Sequence, residues 1–223
     1  MGNVRGLYVL DLACREGHNT RILAGKGAKV TGIDFSGKMI KLAKLEEAKE
    51  KLGICYPVLD AADLEELPSK HFDLVTCFMS LQDIENYEDA ISGVARVLKN
   101  GGRFIFSIPR PCFETIIVDG KRISATARYF GATSYPIQWN MERLLEPFQT
   151  TSFHMTLTEY SATLFKNKLL ISRLVEPRPK QEGLQKYPPL REVLATPQSI
   201  IIESLKIIYH TLILLNTEVQ TVK

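Results

Sequence analysis

The chain has 223 residues, 45% of them hydrophobic and 24% charged, which suits one soluble globular domain over residues 1–223 with room for a sizeable core. A formal net charge of +3, with Lys and Arg scattered along the chain, argues against the clustered basic footprint of a nucleic-acid binder. The four cysteines, 14, 55, 77 and 112, are far apart and form no C-x-x-C pair, so they are expected as reduced thiols rather than as a zinc knuckle or a dithiol redox site.

In chain order, Leu7–Leu12 is expected as the first strand. Thr20–Gly25 has helical periodicity, and Gly25 and Gly27 stop the helix. Lys29–Ile33 is the second strand, and Ser36 caps a helix running to about Leu52, whose charge run Lys41–Lys51 reads as a solvated face. Ile54–Leu59, Phe72–Phe78 and Arg103–Ile108 are strands three to five. Tyr87–Leu98 is the intervening helix, and Asn100-Gly101-Gly102 the turn that follows it. This alternation is the signature of βαβ units and a parallel, Rossmann-like sheet.

The alternation breaks after Ile108. Residues 109–155 are rich in Pro, Gly and aromatics and read as a long irregular insertion that covers a site. Thr156-Leu-Thr-Glu159 is a capping box that opens a helix. Leu169–Val175 and Ser199–Leu205 are the last two strands, joined by a proline-rich loop over residues 176–197, with the second taken as an edge strand. The stretch from Ile200 to Leu215 is too short and too interrupted by charge for a membrane span, and its apolar part, Ile207–Leu215, is a candidate surface for homo-oligomer formation. The N-terminus lacks a signal peptide's apolar segment, so a cytoplasmic protein without membrane partners is expected.

The first strand runs into Asp11-Leu12-Ala13-Cys14-Arg15-Glu16-Gly17, and the second ends at Asp34. A carboxylate there is placed to accept the two hydroxyls of a ribose. Asp60-Ala61-Ala62-Asp63 follows strand three. With Phe72-Asp73-Leu74-Val75, Ala95 to Gly102 and Phe106-Ser107-Ile108-Pro109, these segments resemble the class I S-adenosylmethionine-dependent methyltransferases, over residues 7–206. Pro111-Cys112-Phe113 and His154-Met155-Thr156-Leu157 look like the small-molecule branch.

The resemblance implies a seven-stranded, mostly parallel, doubly wound sheet with its last strand antiparallel, in three α/β/α layers, and S-adenosylmethionine as cofactor. It places Asp11, Ala13 and Gly17 at the methionine part, Asp34 at the ribose, and Phe35 and Met39 beside the adenine with Asp60 and Ala61 at its edge. Phe78, Met79, Ser80 and Leu81 would lie beneath the sulfonium. Two departures stand out. Arg15 occupies a family glycine position where the backbone passes the cofactor at positive φ, and Ala13 occupies another. Strand one also begins by Leu7, so cover that the family's preceding helices give is expected from the insertion, from a partner chain, or not at all.

Methyl transfer from a sulfonium is an in-line displacement that gains rate from alignment and water exclusion, with a general base needed only for a protonated nucleophile. His154, in the insertion, is the candidate base, and Tyr135, Trp139, Arg110 and Glu114 are candidate contacts to a small acceptor. The rival reading is a catalytically silent methyltransferase-like binding or regulatory protein. An NAD enzyme is disfavoured, because the first turn lacks G-x-G-x-x-G and carries Glu16 where phosphates would sit. No ligand cluster suggests a metal.

Overall fold

The computed structural model describes residues 2–110, 115–118, 121–124, 129–130, 133–139, 148–187, 194 and 197–208. Its main sheet takes six strands: β1 (Tyr8–Leu12), β2 (Lys29–Ile33), β3 (Phe72–Phe78), β4 (Leu98–Pro109), β9 (Leu169–Val175) and β10 (Ser199–Lys206). They lie in the order β2-β1-β3-β4-β10-β9. The first four are parallel, with Val9 opposite both Val30 and Leu74, and β10 runs antiparallel to β4 and to β9.

The third strand expected at Ile54–Leu59 is present only as two isolated parallel bridges to the free edge of β2, Thr31 with Cys55 and Asp34 with Val58. That accounts for six strands where seven were expected. The segment has Pro57 in its middle, and a residue without a backbone N–H cannot continue a ladder. A second difference concerns β10, which lies between β4 and β9 rather than at the edge. Its alternate residues Ile200, Ile202 and Ser204 are buried, the pattern of an internal strand with one well-covered face.

Helices cover both faces because each strand alternates between two cores. Leu10, Leu12, Phe104, Phe106 and Ile108 join Ala90, Ile91 and Val94 of α3 (Tyr87–Val97) and Tyr160 and Leu164 of α4 (Leu157–Lys166). Val9, Val30, Leu74 and Ile105 meet Leu23 of α1 (His18–Gly25) and Ile40 and Ala43 of α2 (Gly37–Glu50). Each fully buried Leu or Ile contributes about 2 kcal/mol. The capping box is formed as expected: Glu159 N–H donates to Thr156 Oγ1 at 3.1 Å, and Thr156 N–H donates to Glu159 Oε2 at 2.6 Å. Arg96 ties α3 to the preceding loop by donating to the carbonyls of Leu67, at 2.9 Å, and Leu64.

Residues 109–155, expected as irregular, contain two antiparallel hairpins: β5 (Thr115–Val118) with β6 (Lys121–Ser124), and β7 (Thr133–Trp139) with β8 (Phe148–His154). The Asp119-Gly120 pair between β5 and β6 is a hairpin signal in the sequence. The proline-rich stretch after β9 holds a short helix, α5 (Gln181–Lys186), where a loop was expected. Ile207 is buried and Ile208 half exposed, and the rest of the apolar C-terminal stretch, like Cys112, lies outside the described residues. No helix among the described residues is long and apolar enough to cross a membrane.

Candidate functional site at the carboxyl edge of the sheet

The chain leaves β1 for β2 on one side and returns through β3 on the other. The carboxyl ends of β1 and β3 therefore flank a topological switch point, the place where doubly wound sheets bind ligands. Two turns rise there, at residues 13–17 and 79–83.

The first turn is held by backbone hydrogen bonds from Cys14 N–H to Ile33 O at 2.8 Å and from Gly17 N–H to Cys14 O at 2.9 Å. Ala13 and Arg15 adopt φ of 53° and 54°, the left-handed region that costs a side-chain-bearing residue about 1–2 kcal/mol. The expectation that position 15 calls for positive φ matches the backbone, and Ala13 shares the strain. Arg15 is exposed, and its backbone N–H donates to Asp34 Oδ2 at 2.9 Å. Gly17, at φ 79°, is irreplaceable for a further reason: a Cβ there would stand 2.9 Å from Tyr56 Cζ.

Asp11 is turned inward and only 2% exposed. Thr20 Oγ1 donates to its Oδ2 at 2.6 Å and Thr76 Oγ1 to its Oδ1 at 2.7 Å. Burial pushes its pKa up to about 6, against the downward pull of the two hydroxyls. Asp34 is a joint between three segments. Its Oδ2 takes the Arg15 amide, its Oδ1 takes the Ser36 N–H at 2.9 Å, and its carbonyl takes the Leu59 N–H at 3.2 Å. Each carboxylate oxygen keeps a lone pair for a ligand hydroxyl.

Among the residues expected at an adenine, Phe35 is 77% exposed and Asp60 is exposed with Oδ1 accepting the Ala62 N–H at 2.9 Å. Met39 is half buried at the start of α2, whereas Ala61 is buried in the core. In the second turn Met79, at φ 51°, donates its N–H to Ser107 O at 2.9 Å. Phe78 is half buried, Ser80 is buried with its hydroxyl donating to Phe78 O at 3.1 Å, and Leu81 is fully buried in the core rather than on an open wall. The carboxylates of Asp34 and Asp60 at this edge, with the exposed Phe35 ring next to Asp34 in sequence, are acceptors that suit a cationic nucleoside and disfavour a pyrophosphate.

His154 ends β8 and lines a small cavity with Gln82, Ile108, Pro109, Ser152, Phe153, Met155 and Tyr160. Its Nε2 lies 3.1 Å from Tyr129 O. A carbonyl only accepts, so Nε2 carries the proton and Nδ1 of the neutral ring keeps a lone pair. Tyr129 also fastens this region to α4, its Oη accepting the Leu157 N–H at 3.1 Å. Gln82 was not singled out from the sequence, where nothing marks a glutamine in a polar turn as buried. Arg110, expected at the substrate, pairs with Glu176 at 2.7 Å. Glu114 and the side chains of Tyr135 and Trp139 lie outside the described residues.

Comparison with known proteins agrees with this edge. The family model described as "Methyltransferase domain" matches residues 10–106. The ubiquinone biosynthesis O-methyltransferase of Alkalilimnicola ehrlichii is 32% identical over 107 residues, 48% of this chain and 43% of that protein. The enzyme of the same description from Pseudomonas syringae pv. tomato is 33% identical over 105 residues, 47% and 45% of the two chains. The matched region thus spans less than half the length of these curated relatives. Among solved structures, an S-adenosylmethionine dependent methyltransferase from Mesorhizobium loti superposes with a TM-score of 0.74 at 26% identity, covering 92% of this chain and 93% of the other. The sheet order, the acidic ends of β1 and β2 and these similarities agree: residues 10–106 match the methyltransferase domain family, and the chain has the Rossmann-like fold of S-adenosylmethionine-dependent methyltransferases.

Proposed function

We propose that this chain transfers the methyl group of S-adenosylmethionine to a small-molecule acceptor. The observation that carries the reading is the Asp34 joint, whose carboxylate binds the Arg15 and Ser36 amides and so presents two preset acceptor oxygens at the switch point. The cofactor supplies an electrophilic methyl group on a sulfonium. Asp34 would hold the ribose, with Phe35, Met39, Asp60 and Ala61 around the adenine. Ala13 and Gly17 would pass the methionine part, and Asp11 would shape that turn from beneath through Thr20 and Thr76. Phe78 and Met79 would form the floor, with Ser80 and Leu81 buried behind them. His154 is the proposed general base, acting through Nδ1 because Nε2 is committed to Tyr129. Residues 109–155 would cover the acceptor and exclude water.

The curated relatives are described as O-methyltransferases of ubiquinone biosynthesis, which supports a small acceptor with a hydroxyl. A second reading, a catalytically silent binding protein, draws on the strained Arg15 at a family glycine position. Calorimetric titration with S-adenosylmethionine and S-adenosylhomocysteine separates the two. Binding by the native chain is the expected outcome. Binding only after Arg15→Gly favours the silent protein, and binding by neither overturns both.

A further inference from the structure

The parallel strands begin at the sheet edge opposite the switch-point turns, and lysines that are far apart in the chain meet there. Lys29 opens β2, Lys70 stands two residues before β3, Lys99 is the second residue of β4, Lys168 directly precedes β9 and Lys206 ends β10. The registers put them on one edge, with Tyr8 opposite Lys29, Phe72 opposite Leu98 and Lys206 opposite Leu169. Tyr8 joins two of them, Lys29 Nζ lying 4.7 Å and Lys99 Nζ 5.2 Å from its ring centroid. Asp73 compensates one charge, its Oδ1 lying 2.7 Å from Lys99 Nζ. Among the described residues no ion pair joins Lys29, Lys70 or Lys206 to a carboxylate. Lys206 Nζ instead donates to the Leu98 carbonyl at 2.7 Å. Burial, then the like charges of Lys70 and Lys168, hold its pKa below the usual lysine value. Cations gathered in this way repel one another, and an anion relieves that repulsion.

We propose that this amino edge is a docking surface for an extended acidic segment of a partner protein. Charge complementarity sets the chemistry, and shape sets the class. Strand ends about 4.8 Å apart make a row roughly 24 Å long from β2 to β9, which about seven residues of extended chain would span. Successive strands turn by about 20°, so the row winds out of any single plane. A flexible chain can follow that path, whereas a flat bilayer meets only part of it. Nucleic acid fits less well, because Arg103 beside the row is paired with Glu203 at 3.0 Å. The exposed Tyr8 ring, where a base would stack, is already engaged by the two ammonium groups and by His71, 4.7 Å away.

The probe is a fluorescein-labelled decaglutamate peptide, titrated with the full chain and followed by anisotropy at about 100 mM salt. The native chain is expected to bind it. The double variant Lys29→Gln, Lys70→Gln should weaken binding about tenfold. A control that removes the same charge from exposed positions of α2, Lys41→Gln with Lys44→Gln, should change it less than about twofold. No binding by the native chain, or an equal loss in the two double variants, overturns the docking surface. Tighter binding of decathymidylate, or of phosphatidylglycerol vesicles, with the same dependence on Lys29 and Lys70 overturns the acidic segment and gives the edge to that other partner. The outcome is independent of the methyltransferase reading, since neither pair of lysines lies in the proposed cofactor site.

Discussion

The turns after β1 and after β3 leave the same edge of the sheet with the same backbone device, yet end differently. Both begin in the left-handed region on residues that carry side chains, Ala13 and Arg15 in one and Met79 in the other. In the first turn every oxygen of Asp11 and Asp34 accepts a hydrogen bond from the chain itself. In the second, Gln82 Oε1 is buried without a hydrogen-bond partner. The difference teaches that strain alone does not mark the binding atom. One turn satisfies its own carboxylates and presents spare lone pairs, while the other leaves a buried amide oxygen unpaired.

The largest test of the closed turn is pH. Asp11 ionises near 3.8 unfolded and about 6 folded, so between those values the native state holds the extra proton. Its contribution to stability is therefore greatest at low pH and is lost as pH rises from about 4 to about 6, by about 3 kcal/mol. Urea unfolding of the native chain and of Asp11→Asn should differ by that amount between pH 4 and pH 7. A pH-independent difference would mean that the first turn is wet rather than closed.

Gly17→Ala should come next. The added Cβ meets Tyr56 Cζ at 2.9 Å on a backbone at φ 79°, and a loss of about 2–3 kcal/mol in urea unfolding is expected. Asp34→Ala removes the acceptor for two backbone amides as well as the proposed ribose contact. Calorimetry should show S-adenosylhomocysteine binding weakened about 30-fold, equivalent to about 2 kcal/mol. Unchanged affinity would show that Asp34 serves only the turn.

The smallest effect compares the two turns directly. Arg15→Gly and Met79→Gly each relieve a left-handed residue at the cost of a more flexible unfolded chain, and each should raise the melting temperature by a few degrees, about 1 kcal/mol. A gain at one turn without the other would place the strain on that side alone.

The parallel half of the fold was legible in residue order. β2 and β3 fall on the expected ranges, and the caps at Ser36 and Thr156 stand where their side chains demand, because apolar periodicity and capping are local properties. The positive φ expected at position 15 was also readable, since a glycine rule states a backbone requirement. Other features were decided by the assembled molecule. Sequence pattern does not say which strand lies inside a sheet, so the internal position of β10 came from its pairing with both β4 and β9. The hairpins within 109–155 are made by cross-strand contacts rather than by any long periodic run. Burial depends on neighbours distant in sequence. Packing of β1, β3 and α1 turned Asp11 inward onto Thr20 and Thr76, the core beneath α3 and α4 closed over Ala61 and Leu81, and β8 against the turn after β3 set Gln82 beside His154.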